Sequence, residues 1–377
     1  MSVKSDVLVI GGGTMGTAAG WALARRGQSV TILEQFDHYH GRGSHSGNTR
    51  IYRHAYAEGA HYGSWAIEST NLWSALQERS ATTLMIPTGY LDISKPGLTR
   101  ANDARDSAQK FDLPIEELTG RDLNERWQAW NAPADWVATL DPNAGILLVE
   151  ESFRVFAREF TEAGGTLRTN ETVTSWEATA DSVRVVTDQD SYEADSLIVA
   201  AGAWSGKVLA ELGIPLEVRR KPVMWFETET EAPFRPENFP GFVYQDSAND
   251  FYGLPSYGED SVKIGIHSGG DVVDPDTIDR EWHDSDIKSD FRKFLTERLN
   301  GVRVKLTNSS VCMYVMTPDE DFIIDRHPEH ANVALAAGFS GHGFKFTPKV
   351  GEHLADLITG VGDPVPEFSL SRFGILS

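Results

Sequence analysis

The chain opens on a short apolar run, Val7-Leu8-Val9-Ile10, followed by a glycine cluster and then by Thr14 to Arg26, which has helical composition and ends before Gly27. A second apolar run, Val30-Thr31-Ile32-Leu33, stops at Glu34. Unbroken apolar runs of this length mark strands covered on both faces, so the segment predicts a βαβ unit. Tyr62 to Arg79 carries Trp65, Ile67, Leu72, Trp73 and Leu76 in an amphipathic helical pattern, and Leu84 to Leu91 and Ala138 to Val149 read as short strands around a helical, polar middle. Ser152 to Ala163 predicts a helix, Gly165 to Thr169 a strand, and Val173 to Ala178 with Ser182 to Thr187 two hairpin-like strands. Asp195 to Val199 is a hydrophobic strand running into a turn that contains Gly202 and Trp204, where bare backbone can approach a cofactor.

From Lys221 to Tyr314 the pattern changes to short alternating strands, which predict an antiparallel sheet with few helices. In the strand Ser261 to His267 the side chains of Lys263, Gly265 and His267 share one face, and Val262, Ile264 and Ile266 share the other. That polar face suits either a cavity floor or solvent. Ser289 to Leu299 predicts a helix capped by its serine. Val350, Leu354, Leu357 and Ile358 form one face of a last helix that Thr347 and Pro348 begin. The order of elements predicts an α/β chain of two domains (α+β in arrangement), one Rossmann-like and one built on an antiparallel β-sheet. The first takes residues 1–85, 145–217 and 318–377, and the second takes 86–144 and 218–317.

The chemistry follows from these placements. In Gly11-Gly12-Gly13-Thr14-Met15-Gly16 the first glycine permits the tight turn, Gly13 lets backbone approach a pyrophosphate, and Gly16 lets helix and strand pack closely. The helix N-terminus then faces phosphates, and Glu34 can accept from ribose hydroxyls, whether the dinucleotide is NAD, NADP or FAD. A helix, strand, meander and strand in that order favour a flavoprotein over the serial βαβ units of a compact NAD domain. Arg50 and Arg53 would share a face in a helical turn, as anion-binding groups or as surface arginines paired with carboxylates. Gly338, Gly341 and Gly343, followed by Thr347-Pro348, predict a second helix N-terminus able to receive negative charge, or a plain capped helix.

Composition narrows the partners. A chain of 377 residues, 40% hydrophobic, can bury two cores. Its net charge of -21 argues against nucleic acid or an anionic membrane, and the absence of an 18-residue apolar run argues against a membrane span. Lys4 leads straight into the first strand without a signal peptide, so a cytoplasmic location is expected. Eleven lysines against 23 arginines, with the acidic surplus, hint at a salt-adapted source. The single cysteine, Cys312, excludes an internal disulfide and a multi-cysteine zinc site, and no metal is expected.

Along nearly its whole length the chain resembles the monomeric sarcosine oxidase and N-methyl-L-tryptophan oxidase family. The marks are Gly11 to Gly16, Gly43-Ser44-His45, Asn48 to Tyr56, Cys312-Met313-Tyr314, Thr317-Pro318-Asp319-Glu320 and Gly338 to Phe346. The resemblance implies a monomeric FAD oxidase that converts an N-methyl α-amino acid and O2 into formaldehyde, the primary amino acid and hydrogen peroxide. It also implies FAD joined through its 8α carbon to the sulfur of Cys312. Gly11, Gly13, Thr14, Met15, Gly16, Glu34, Ser44, His45, Arg50, Val173, Gly202, Trp204, Cys312, Gly341, Gly343, Phe344 and Lys345 would hold that cofactor.

The resemblance assigns the substrate carboxylate to Arg53 and Lys345, positive charge beside the flavin to Arg50, and oxygen activation to Lys263. It assigns the amino-acid pocket to Tyr252, His267 and Tyr314. The family usually has two histidines after the loop serine, whereas here Ser46 follows His45. Lys221 to Phe226 and Phe368 to Phe373 look like the N-methyltryptophan branch, and His327-Pro328-Glu329-His330 like the sarcosine branch. Two other readings stand beside this one. One is a flavin oxidase or dehydrogenase of a cyclic or glycated amino acid (pipecolate, proline or a fructosyl amino acid), and the other a non-catalytic nucleotide sensor.

Overall fold

A computed structural model describes residues 4–247, 249–258 and 260–375. Its first sheet has eight strands, with Lys4–Ile10 at the centre between Val30–Leu33 and Ser191–Val199, parallel to both. Val7, Leu8, Val9 and Ile10 are all buried, because helices cover one face and the β-meander side the other. That double cover is the reason for the unbroken apolar run. Thr166–Arg168 extends one edge, and Val173–Ala178 with Val183–Thr187 forms the hairpin beyond Ser191–Val199. Val333–Ala337 returns parallel to Ser191–Val199, with Ile323–Arg326 antiparallel beside it.

Helix Thr14–Ala24 is rich in Gly and Ala, and the last helix, Thr347–Thr359, lies directly on it: a Cβ on Gly351 would sit 2.7 Å from the carbonyl carbon of Ala18. Helix Tyr62–Ser80 spans the predicted stretch. Val149–Glu162 starts three residues before Ser152, whose hydroxyl bonds back to the carbonyl of Leu148.

The second sheet also has eight strands. Val302–Met316, Glu217–Thr228, Ser261–Ile266, Asn249–Leu254, Gly241–Asp246, Tyr90–Ser94, Val137–Asp141 and Glu116–Thr119 follow in that spatial order. It corrects the antiparallel expectation at one pair, since Gly241–Asp246 runs parallel to Tyr90–Ser94. These two strands come from separate excursions of the chain, so no hairpin forces them to oppose. The strands Glu217–Thr228 and Val302–Met316 are also longer than the alternation suggested, at 12 and 15 residues, with irregular register near Trp225 and Phe226 interrupting the pattern. Met224, Phe226, Val262 and Ile264 face a core closed by helix Ser289–Arg298 through Phe291, Phe294 and Leu295. Ser289 does not cap that helix; Lys288 holds the cap position without a side-chain cap bond, and the Asp290 carboxylate accepts from the N–H of Phe291 at 2.9 Å. The other sheet face, with Val223, Trp225 and Cys312, turns toward the first sheet.

A three-stranded sheet of Thr49–Tyr52, Gly145–Leu148 and Met85–Pro87 links the two. Thr49 to Tyr52 is therefore extended, which overturns the helical turn proposed for Arg50 and Arg53. The β-branched Thr49 and Ile51 beside Tyr52 favour a strand, and successive side chains in it point to opposite faces. Among the described residues no helix is long and apolar enough to cross a membrane.

Candidate functional site

One large cavity runs between the two eight-stranded sheets, from the Gly11 turn to Lys345. At its nucleotide end Gly11 has φ of +104°, and a Cβ on Gly16 would lie 1.9 Å from the carbonyl oxygen of Gly11. Gly16 therefore packs beneath the turn and does not border the cavity, whereas Gly13, Thr14 and Met15 do. No atom lies within 4 Å of a Cβ built on Gly13, so bare backbone faces open space of the kind a pyrophosphate fills. The Glu34 carboxylate accepts from the N–H of Gly12 at 2.8 Å and of Phe36 at 2.9 Å. Each oxygen keeps lone pairs toward the cavity. Val173, Gly202 and Trp204 border the same end, and the Trp204 indole donates to Asp276 at 2.6 Å. Asp276, on the connection after Ser261–Ile266, thereby ties the second sheet to the nucleotide end.

In the middle of the cavity the Cys312 thiol is buried, with Arg50 Nη2 3.9 Å away and the carbonyl of Ser44 at 3.2 Å. Arg50 is pinned by the carbonyls of Thr49, Ser44 and Ser46 at 2.9, 3.2 and 2.7 Å, so its charge has a fixed place. His45 donates to the carbonyl of His40 at 2.7 Å, and burial brings its pKa down to about 3, leaving it neutral. Ser46 lies off the cavity, its buried hydroxyl without a hydrogen-bond partner among the described residues.

Lys263 donates to the carbonyl of Thr49 at 2.6 Å, with its ammonium 5.4 Å from the Trp225 ring centroid. Burial first, then Arg50, pulls its pKa well below the usual lysine range. Gly265 is explained by Tyr252, whose ring would stand 2.7 Å from a Cβ there. Tyr314 and His267 meet at 3.3 Å, and Gly341, at φ of +81°, leaves room for the Tyr314 ring. Lys263, Gly265 and His267 thus turn inward, settling the choice between cavity floor and solvent.

At the far end Arg53 is buried and bonded to the Tyr90 hydroxyl and to Glu58. Burial opposes its charge, but Glu58, Tyr90 and Asp92 outweigh that and hold the guanidinium firmly protonated. Lys345 donates to the carbonyl of His342 at 2.7 Å and to the Tyr56 hydroxyl at 3.2 Å. His342 Nε2 donates to the carbonyl of Glu320 at 3.2 Å, which leaves Nδ1 to accept from the Tyr56 hydroxyl at 2.7 Å. Burial and then Arg53 depress Lys345, and burial holds His342 near about 3.

Gly341, Gly343, Phe344 and Lys345 border the cavity, but Thr347 does not. A 3₁₀ turn, Phe344–Phe346, precedes the last helix, and the Thr347 hydroxyl is bonded to the carbonyl of Phe344. The helical turn that borders the cavity therefore sits one turn earlier than the sequence placed it.

The sequence reading missed Glu58, Arg100, Tyr56 and His342, all of which border the cavity or bond to groups that do. Glu58 lies in a loop, where spacing carries no periodicity. Arg100 opens a polar helix, Arg100–Lys110, that reads as surface. The whole arrangement offers a fixed arginine near a thiol with Lys263 bordering the same cavity, a protonated Arg53 with Lys345 elsewhere in it, and open space at the Gly13 turn. It suits an extended dinucleotide cofactor and a small carboxylate-bearing substrate.

Comparison with known proteins agrees with that geometry. The family described as FAD dependent oxidoreductase (DAO) matches residues 6–357. Monomeric sarcosine oxidase of Bacillus sp. (strain B-0618) is 40% identical over 380 residues, covering 99% of this chain and 97% of that one. N-methyl-L-tryptophan oxidase of Yersinia pestis (strain Pestoides F) is 33% identical over 372 residues, covering 98% and 99%. Among solved structures, the open form of NikD, an unusual amino acid oxidase essential for nikkomycin biosynthesis, shares the fold. Its TM-score is 0.85, at 23% identity and 97% coverage of both chains.

Proposed function

The chain belongs to the FAD-dependent oxidoreductases, and from that premise we propose that it oxidises an N-methyl α-amino acid, releasing formaldehyde, the primary amino acid and hydrogen peroxide. The single observation that carries this reading is the buried Arg53 guanidinium, held protonated, with Lys345 bordering the same cavity as the dinucleotide turn. A buried, permanently charged guanidinium selects a carboxylate, and the neutral His267 with Tyr252 and Tyr314 leaves the amine side of the pocket uncharged. FAD, when bound, supplies the two-electron oxidation and the return of electrons to O2.

The protein's own groups orient and stabilise. The N–H groups from Gly13 to Met15 would receive the pyrophosphate and Glu34 the ribose. Gly341, Gly343 and Phe344 would lie along the ring system, and Arg50 would favour negative charge on it. Lys263 would stabilise negative charge developing on O2. In the same reading residues 1–85, 145–217 and 318–377 carry the cofactor and 86–144 with 218–317 roof the substrate. The protein acts as a monomer in the cytoplasm.

The test is a substrate panel of sarcosine, N-methyl-L-tryptophan, L-proline and L-pipecolate. We expect the flavin to bleach under anaerobic N-methyl amino acid and to recolour with air, with peroxide formed in step. Sarcosine comes first in that panel, because the relatives so named reach 40% identity against 33% for the tryptophan type. Turnover of proline or pipecolate alone would move the chain to a cyclic-amine oxidase.

Covalent attachment through Cys312 belongs to the same proposal. Its support is the burial of the chain's one thiol on the cavity wall, 3.9 Å from Arg50 Nη2. Acid-precipitated protein should remain yellow, and Cys312→Ser should release its flavin on precipitation. A colourless wild-type pellet would remove the covalent bond from the account while leaving FAD dependence in place.

A further inference from the structure

Glu58 divides its two oxygens between two buried arginines. One oxygen bonds Arg53, and the other accepts from Arg100 Nη2 at 2.8 Å. Arg100 is fastened independently, its Nε donating to Asp92 at 2.6 Å, and Asp92 also accepts from the Tyr90 hydroxyl at 2.9 Å. Arg53 spends Nη1 on Tyr90 and Nη2 on Glu58, while its buried Nε has no hydrogen-bond partner among the described residues.

A carboxylate gripped by the guanidinium fork takes two of its nitrogens, so it uses the free Nε and competes with Glu58 for a second one. If Glu58 then had no other counter-charge, two carboxylates would share one buried pocket, and binding would be strongly disfavoured. The remaining basic groups facing Glu58 are His342 and Lys345. Burial disfavours the charge on both, which leaves Arg100 as the permanent cation.

We propose that Arg100, anchored on Asp92, is a positioning residue that retains Glu58 when Arg53 turns to the substrate carboxylate. Arg53 can then change partners without leaving a buried charge unpaired. The inference rests on Arg53 as the carboxylate anchor and deepens it: affinity is set by a partner exchange on a pair of arginines of which only one moves.

The experiment is anaerobic flavin reduction by sarcosine, or by N-methyl-L-tryptophan if the panel prefers it. It is run on the flavin-loaded wild type, Arg100→Gln, Arg100→Lys, Glu58→Gln and the Glu58→Gln/Arg100→Gln double variant, and it separates Kd from limiting rate. Arg100→Gln is expected to raise Kd roughly ten- to a hundredfold, part of the cost of a broken buried pair being relieved by protonation of Glu58. The penalty should therefore shrink as pH falls, because Glu58 takes up a proton when substrate binds. In the Glu58→Gln background the same arginine substitution should change Kd far less, with only the pH dependence owed to Asp92 and Asp250, the other carboxylates on Arg100 at 2.6 and 3.7 Å, and Arg100→Lys should recover most of the affinity.

An equal penalty in both backgrounds, or one flat in pH, would mean that Arg100 merely supports the fold and would overturn the proposal. If Arg100→Gln fails to hold flavin, Arg100→Lys decides: wild-type Kd and pH profile uphold charge retention, and a loss independent of pH refutes it. Arg53→Ala without effect on Kd would instead remove the anchor itself, a result distinguishable from either.

Discussion

Replacing Lys263 with methionine is expected to slow reoxidation of the flavin by O2 by about 100- to 1000-fold, the size of losing one preorganised charge at a developing anion. Reduction by substrate should change by no more than a small factor. The split follows from position. Lys263 is held by the carbonyl of Thr49 on the floor of the cavity, within 5.4 Å of the Trp225 ring, and away from the Arg53 and Lys345 end where the carboxylate would dock. Methionine fills the same buried volume without charge, so packing is kept.

The direction of the pH effect follows as well. Burial and Arg50 disfavour the charged lysine, and negative charge developing beside it would favour it. Reoxidation in the wild type should then fall as pH rises through the lysine's lowered pKa, and the methionine variant should show no such dependence. Stopped-flow reoxidation at several pH values checks both. Equal losses in the two half-reactions would assign Lys263 to general support of the flavin site.

How much of this was legible in the chain depends on whether a residue's role is local. The Gly11 to Gly16 turn and the buried run Val7 to Ile10 follow from glycine's freedom and from an unbroken apolar pattern, so the sequence shows them directly, whereas the period of 2.0 puts Lys263 and His267 on one face without saying whether it meets cavity or solvent. Arg50 and Arg53 were legible as chemistry but not as geometry. Their three-residue spacing suggests one helical face, and only the pairing of Thr49–Tyr52 with Gly145–Leu148 makes the segment a strand.

Glu58 and Arg100 were not legible at all. They meet across 42 residues because the parallel pairing of Gly241–Asp246 with Tyr90–Ser94 carries Arg100 to the cavity. That pairing joins two excursions of the chain that no hairpin connects. Ser289 failed for the opposite reason, since a capping residue is judged from one neighbour's backbone angles and a one-residue shift in the helix start cancels it.

In the proposed reading the Arg53 end of the cavity selects the substrate, and Arg53→Ala tests that most severely. The variant should bind substrate more weakly by roughly 30-fold to several thousandfold, as expected when one partner of a buried, hydrogen-bonded charge pair is removed. Two losses combine. The substrate carboxylate loses its forked donor, and Glu58 keeps only Arg100, so an incoming anion meets a less compensated negative charge. Lys345 does not replace it, because burial lowers its protonation and its donors already serve the carbonyl of His342 and the Tyr56 hydroxyl.

Arg53→Lys should recover only part of the affinity, since an ammonium cannot form the planar two-point contact. The limiting rate of reduction, measured at saturating substrate, should fall less than the affinity if the residue anchors and does not react. An Arg53→Ala enzyme with normal flavin absorbance and unchanged Kd would move the carboxylate site elsewhere in the cavity. A large fall in limiting rate with unchanged Kd would mean that Arg53 acts on the reacting amine.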